Sequence, residues 1–250
     1  MAGDHGTLAA TDGRVPGRRG QATRQRLLEC TAELLESTPW RSIKVIDIAR
    51  QAGTSPATFY QYFENVEQAI LVLAEELTEG AGELVALVEG DWSADAAWDT
   101  ARRVVQGFMD YWEANRPVFR VVDLATEEGD LRFRGLRVRA LNALTVSLAR
   151  VIADGQDVSR VGADPMAAAA TVISMLAHVA AHRYGFEFWG IRTSAMVDSQ
   201  ARLLLWSVTG MQAPADESAA DAPPRTGPVV GGGAARVRRA QTARSAGRAT

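Results

Sequence analysis

Residues 45–63 read VIDIARQAGTSPATFYQYF, and the parsing of that run decides the fold. Val45 to Gln51 predicts a short helix with Val45, Ile48 and Ala49 turned inward and Asp47 and Arg50 outward, the apolar spacing of one helical face. Gly53 follows where the chain must reverse, and glycine enters the left-handed region without a Cβ penalty. Ser55-Pro56 then opens a second helix: a serine oxygen can accept an orphan N–H, and proline is tolerated at the first helical position. Two short helices that cross steeply need small residues where their backbones meet, and Ala49 with Ala52 supplies them. The second helix is predicted to run through Tyr62 or Phe63. It is too short to hold itself together, so Phe59 and Phe63, four apart, are expected to fasten it to its neighbours. Ser55, Ala57, Thr58, Tyr60, Gln61 and Tyr62 are left for the open side.

A helix of that kind fits the major groove of B-DNA. Thr54, Ser55, Tyr60 and Tyr62 carry hydroxyls suited to phosphates, and the helix N-terminus adds its own N–H groups. The Thr58 methyl and the Gln61 amide suit base edges, and Lys44, just before the preceding helix, suits a phosphate. The competing reading is a helical hairpin used only for packing, with the tyrosines in the core. Charge favours the DNA reading. The net charge of -3 over 250 residues conceals a basic stretch from Arg14 to Asn65 and an acidic one from Val66 to Gly210, so this end of the chain can approach a polyanion.

Helical patterning continues on both sides. Arg24 to Ser37 places Leu27, Leu28, Ala32, Leu34 and Leu35 on one stripe, and Pro39 ends it. Asn65 and Gln68 have capping-box spacing and introduce a long helix with Ile70, Leu71, Leu73, Ala74, Leu77, Leu84 and Leu87 inward. Gly80 and Gly82 each weaken its middle by about 1 kcal/mol relative to alanine, so a bend is expected there. Further helices are predicted over Asp95–Ala114, Pro117–Ala125, Leu131–Ile152, Asp164-Pro165 to about His182, and Ser194–Thr209. No segment alternates long enough to require a sheet, which predicts an all-α fold of about nine helices.

From about Thr23 to Leu73 the sequence resembles the DNA-binding domain of the TetR, or tetracycline-repressor-like, family of transcriptional regulators. The likeness rests on Asp47-Ile-Ala-Arg-Gln-Ala-Gly53 and on Thr58-Phe59-Tyr60-Gln61-Tyr62-Phe63. Two positions depart from the family. Val66 stands where a lysine is common, which leaves that phosphate contact to Lys44 or to the arginines near the N-terminus, and Pro56 replaces a small or basic residue. The resemblance implies a three-helix helix-turn-helix domain followed by a helical ligand-binding and dimerisation domain. It further implies a homodimer that represses from a palindromic operator on double-stranded DNA and leaves it when a small effector binds; the lack of a signal-peptide or membrane-span pattern makes a cytoplasmic protein the expectation.

A twofold dimer would double a limited contact and space its recognition helices by about 34 Å. Candidates for the dimer face are the small apolar run Met166–Ala177 with Ala201, Leu204, Leu205 and Val208, against a wholly intrachain core. Phe108, Met109, Trp112, Phe119, Leu144, Met175, His178, Phe186 and Trp189 are candidates for a pocket taking a small hydrophobic effector, aromatic or acyl. His178 and His182 have metal-compatible spacing, yet no carboxylate or cysteine completes a site, so no metal and no cofactor is expected. A phosphate loop and a nucleophile elbow are both missing from the sequence. The alternative is therefore a helical small-molecule-binding or enzymatic protein without specific DNA binding.

Four regions are expected: a flexible arm over 1–20, the helix-turn-helix over 21–65, the ligand-binding and dimerisation domain over 66–210, and a disordered basic tail over 211–250, rich in Pro, Gly, Ala and Arg. One cysteine, Cys30, allows no intrachain disulfide. Apolar stretches are interrupted by polar groups, which predicts neither a signal peptide nor a membrane span.

Overall fold

The computed structural model describes residues 17–155 and 164–214. The expected arm up to residue 16 and the tail from 215 lie outside the described residues. Within them all regular structure is helical: α1 (Arg18–Ser37), a 3-10 turn (Trp40–Ser42), α2 (Val45–Gln51), α3 (Pro56–Tyr60), α4 (Val66–Gly80), α5 (Gly82–Val88), α6 (Ala97–Ala114), α7 (Arg116–Glu127), α8 (Leu131–Gly155), α9 (Pro165–Phe188) and α10 (Thr193–Thr209).

Several boundaries differ from the sequence reading for identifiable reasons. α1 begins at Arg18 rather than Arg24, with Gly17 as its N-cap, so residues 18–20 belong to the helix and not to an arm. α3 stops at Tyr60, not at Tyr62 or Phe63. The N–H groups of Gln61 and Tyr62 turn to carbonyls three residues back, Thr58 and Phe59, which tightens the chain into a turn. The weak point between Gly80 and Gly82 is a full break at Ala81, so the expected single long helix is two. α9 continues past His182 to Phe188 before Gly190, at φ +80°, reverses the chain.

Burial divides into two apolar clusters. One joins Leu27, Leu28, Ile48, Phe59, Phe63 and Ile70 to Val118, Val121 and Val122 of α7 and to Phe133 and Leu136 of α8. The helix-turn-helix thus rests on α4, α7 and the start of α8 through continuous packing. The other cluster lies among α5, α6, the second half of α8, α9 and α10. By length and composition α9 is apolar enough to cross a membrane. Its apolarity has a local account, since Ala169, Val172, Ile173, Leu176 and Ala177 are buried within this core.

The expected dimer residues on α10 need correction. Ala201, Leu204, Leu205 and Val208 are all buried inside the protomer. Their spacing of three and four puts them on one helical face, and that face meets the core. The outward face carries Leu203 and Trp206, both exposed, and α9 presents exposed Met166, Ala167, Ala170 and Thr171.

Candidate nucleic-acid interface and ligand cleft

The turn between α2 and α3 is built on Gly53, whose φ is +67°. Its N–H donates to Arg50 O at 3.1 Å and the N–H of Thr54 to Ala49 O at 2.9 Å. Together these close the last carbonyls of α2 in a Schellman arrangement. Ser55 caps α3: its Oγ accepts from the Thr58 N–H at 3.2 Å and lies 3.0 Å from Thr58 Oγ1, with Pro56 at the first helical position. The Lys44 N–H, before α2, donates to Asp47 Oδ2 at 3.2 Å.

A five-residue helix cannot persist on its own hydrogen bonds. What holds α3 is burial: Phe59 is 0% and Phe63 1% exposed, their ring centroids 5.4 Å apart. Behind Phe63 the Arg24 guanidinium lies 5.6 Å from the ring centroid and donates to Glu76 Oε1 at 3.1 Å, tying α1 to α4. The opposite side of α3 stays accessible. Lys44, Ser55, Ala57, Tyr60 and Gln61 are exposed, and Thr54, Thr58 and Tyr62 are half-buried, so none of the eight nominated residues is enclosed in the core.

Charge is sorted in the same region. Arg24, Arg26, Arg41 and Arg50 are in ion pairs with Glu76, Glu29 and Glu33, Glu128, and Asp47. Among the described residues no ion pair involves Arg18, Arg19 or Lys44. Two arginines in the first turn of α1, with no acid beside them, oppose the helix dipole. Their placement is thus no aid to the helix, whereas a phosphate backbone would neutralise it.

In the body, a cleft of about 750 Å³ opens between α7 and α9. Arg120, Asp123, Leu124 and Glu127 form one wall, Ser174, Ala177, His178, Ala181 and His182 the other, with Trp112, Arg137 and Leu141 between. Adjoining it is an apolar pocket of about 30 Å³ bounded by Ala74, Phe119, Val122 and Leu136 among others. Trp112 and Phe119 stack at 4.4 Å. Of the nine nominated pocket residues, Trp112, Phe119 and His178 line these spaces. Phe108, Met109 and Leu144 are buried in the core, and Met175 packs against it. Phe186 and Trp189 pair edge to face near the end of α9, with Trp189 exposed.

The sequence reading missed the charged wall of α7. At spacings of three and four, Arg120, Asp123 and Glu127 look like a solvated stripe, and only the packing of α9 opposite them makes a cleft. Asp123 Oδ1 meets Arg137 Nε at 3.0 Å, and burial pushes the Asp123 carboxyl upward despite Arg137 and His182 nearby. His178 and His182 stack at 4.2 Å, and the His182 Nδ1 lies 3.0 Å from the His178 carbonyl, a partner within the helix. Among the described residues no group of three His, Cys, Asp or Glu side chains could hold a metal.

Residues 27–68 match the family model for bacterial regulatory proteins of the tetR family. Residues 83–215, more than half of the chain, match the tetracyclin repressor-like C-terminal domain. No curated protein is similar enough in sequence to count as a match. Among solved structures, the fatty acid degradation regulator FadR from Bacillus halodurans superposes with a TM-score of 0.56 at 19% identity, over 77% of this chain and 97% of that one. FadR from Bacillus subtilis, in complex with stearoyl-CoA, gives 0.56 at 16% identity over 75% and 99%. A TetR-like transcriptional regulator from Rhodococcus sp. RHA1 gives 0.56 at 18% over 79% and 100%. At these identities the likeness is one of fold.

Proposed function

Because this chain belongs to the tetracycline-repressor family of bacterial transcriptional regulators, we propose that it is a homodimeric, cytoplasmic repressor that leaves a palindromic operator when a small hydrophobic effector enters its C-terminal domain. Residues 21–65 are the DNA-reading unit and residues 66–210 the ligand-binding and dimerising unit. The observation that carries the reading is the division of α3: Phe59 and Phe63 are enclosed while Ser55, Ala57, Tyr60 and Gln61 are exposed. An interior role for this helix would bury both sides.

In this assignment Lys44, Thr54, Ser55, Tyr60 and Tyr62 meet phosphates, with Arg18 and Arg19 adding charge, while Ala57, Thr58 and Gln61 face base edges. The Thr58 hydroxyl is engaged by Ser55, which leaves its methyl for a thymine. The body carries no catalytic role. Its cleft lies in the range of volumes that small molecules occupy, and the similarity to a FadR bound to stearoyl-CoA supports an acyl-bearing effector. Effector binding acts by favouring the dimer state whose heads are wrongly spaced for DNA, which requires unequal affinity for the two states.

Fluorescence anisotropy of the full-length protein on a labelled genomic-fragment library at two salt concentrations tests the DNA role. A few fragments should stand orders of magnitude above the rest at the higher salt. Uniform, salt-labile binding to all fragments, or none, would remove the sequence-specific reading and leave a helical small-molecule-binding protein. Operator affinity unchanged across a broad set of hydrophobic ligands would remove the effector role alone.

A further inference from the structure

Resting on the reading of the α7–α9 cleft as the effector site, we propose that the effector's polar end is a carboxylate that takes the place of Asp123 at Arg137. The cleft and the apolar pocket share four residues: Trp112, Asp123, Arg137 and Leu141. The Asp123–Arg137 pair therefore stands where a cleft of mixed polarity meets an apolar pocket. The apolar pocket, at about 30 Å³, has room in this state for little more than a water molecule. A ligand that uses both spaces must be apolar at one end and polar at the other, and it must pass this pair.

The pair itself selects the sign of the polar end. A guanidinium keeps its charge in any protein setting, so Arg137, 45% exposed beside Asp123, offers an anion a permanently charged, forked partner. The aspartate can be neutralised by a proton, and its burial already pushes its carboxyl that way. An incoming carboxylate thus leaves Arg137 paired and Asp123 able to go neutral. An incoming cation would have to compete with Arg137 for Asp123 and meet its like charge at close range. Around the pair the cleft also presents Arg120, His178 and His182 as further candidate partners for an anion, with Glu127 on the same wall as Arg120. Among the described residues Arg120 is in no ion pair.

The exchange also has a route outward. Asp123 sits on α7, which ends in Glu127, and the next residue, Glu128, holds Arg41 of the helix-turn-helix side. Freeing Asp123 from α8 releases α7 at one point and lets its far end carry Arg41 with it.

Calorimetry on the full-length protein with decanoate, decanol, decyltrimethylammonium and decanoyl-coenzyme A tests the exchange. Decanoate should bind most tightly, weaken at least tenfold with Arg137→Gln, recover in part with Arg137→Lys, and tighten severalfold with Asp123→Asn, which removes the competing anion. Decanol binding should be indifferent to Arg137→Gln. Thermal melts accompany each variant, and if Arg137→Gln does not fold, the Asp123→Asn gain and the Arg137→Lys loss decide. Decanol, the ammonium or the thioester binding as tightly as decanoate overturns the carboxylate exchange, as does decanoate affinity unmoved by Arg137→Gln. If one of those three also lowers operator affinity, the effector role survives without the exchange. If none of the four binds, the exchange fails, and the effector role stands or falls with the ligand survey of operator affinity.

Discussion

Arg41 and Glu128, 87 positions apart, meet guanidinium to carboxylate through both nitrogens, with Nη1 2.8 Å from Oε1 and Nη2 paired with Oε2. Trp40 lies beneath the guanidinium, 4.6 Å from ring centroid to Cζ. The contact joins the 3-10 turn before α2 to the end of α7, alongside the buried contact of α1 with α7. Both partners are exposed, so the pair contributes little to global stability, and its effect is local order. Glu128→Gln should shift the melting temperature by about 2 °C or less. Hydrogen exchange over Trp40–Ile43 should rise severalfold while the amides of α3 are unchanged. Arg41 holds the Glu128 carboxyl below its ordinary range. The pair is therefore intact at neutral pH and is lost as pH falls from the usual carboxylate range through that depressed value. Unchanged exchange at residues 40–43 in the variant would show that the pair orders nothing.

Asp130 opens α8 beneath Arg132. The Arg132 guanidinium donates to both of its carboxylate oxygens, and the backbone N–H of Arg132 adds a third bond at 2.9 Å. These bonds, led by the Arg132 side chain, lower the Asp130 carboxyl to about 2. The sign follows: whatever stability this site contributes is complete above the unfolded value near 4 and disappears only as pH falls through about 2. Carbon-detected NMR should find Asp130 still ionised at pH 3, and Arg132→Gln should return its midpoint toward the ordinary range. A midpoint near 4 in the unaltered protein would contradict the geometry.

Phe59 joins α3 to the rest, and its removal leaves a cavity where three helices meet. Phe59→Ala should cost about 3–5 kcal/mol in denaturant unfolding, with loss of all DNA binding. Tyr60→Phe, one residue on and half exposed, should leave stability within about 0.5 kcal/mol while weakening DNA binding through the lost hydroxyl. Equal destabilisation by the two would mean that α3 faces the core with both sides.

Local chemistry made the helix-turn-helix legible. Gly53, the Ser55 cap, Pro56 and the Phe59/Phe63 pair each act over a few residues, and each stands where the sequence reading puts it. The Asn65 cap of α4 was equally visible, although Gln68 reaches back to the Glu64 N–H at 2.5 Å, one residue beyond a standard box. What sequence could not provide were relationships across long separations. Arg24, one of the cations in the basic stretch from Arg14 to Asn65, is buried against Glu76 52 positions away. The cleft depends on which face α9 turns to α7, and apolar periodicity cannot tell a core leucine from a pocket leucine. The same ambiguity misplaced the α10 dimer residues by one step around the helix.

That step has a direct test. Leu203 and Trp206 project from α10 at 51% and 54% exposure, a large apolar area for a surface left to water. With the exposed small residues of α9 they are the surface that the proposed homodimer would use for a twofold four-helix contact. Trp206→Glu should convert the protein to monomer in analytical ultracentrifugation at micromolar concentration, with the protomer still helical. Leu205→Ala, on the buried face, should lower stability by about 2–5 kcal/mol with little direct effect on association. A Trp206→Glu dimer as tight as the unaltered protein would place the interface elsewhere.

Phosphate and base contacts differ in what salt does to them, and this separates the roles of Lys44, Arg19 and Gln61. A cation that neutralises a phosphate releases counterions, so its loss weakens binding to every sequence and lowers the slope of log affinity against log salt by about 0.9. Lys44→Ala and Arg19→Ala should each do so. Together they should lower it by about twice as much, since no ion pair among the described residues ties either one to the protein. Gln61→Ala should leave the slope unchanged and instead relax discrimination at one operator position in each half-site by about 1–3 kcal/mol. Anisotropy titrations across a salt series, on the best fragment and on its single-base variants, measure both quantities at once. A uniform loss for Gln61→Ala with a reduced slope would move that residue to the backbone, leaving Ala57 and Thr58 as the residues of α3 assigned to read sequence.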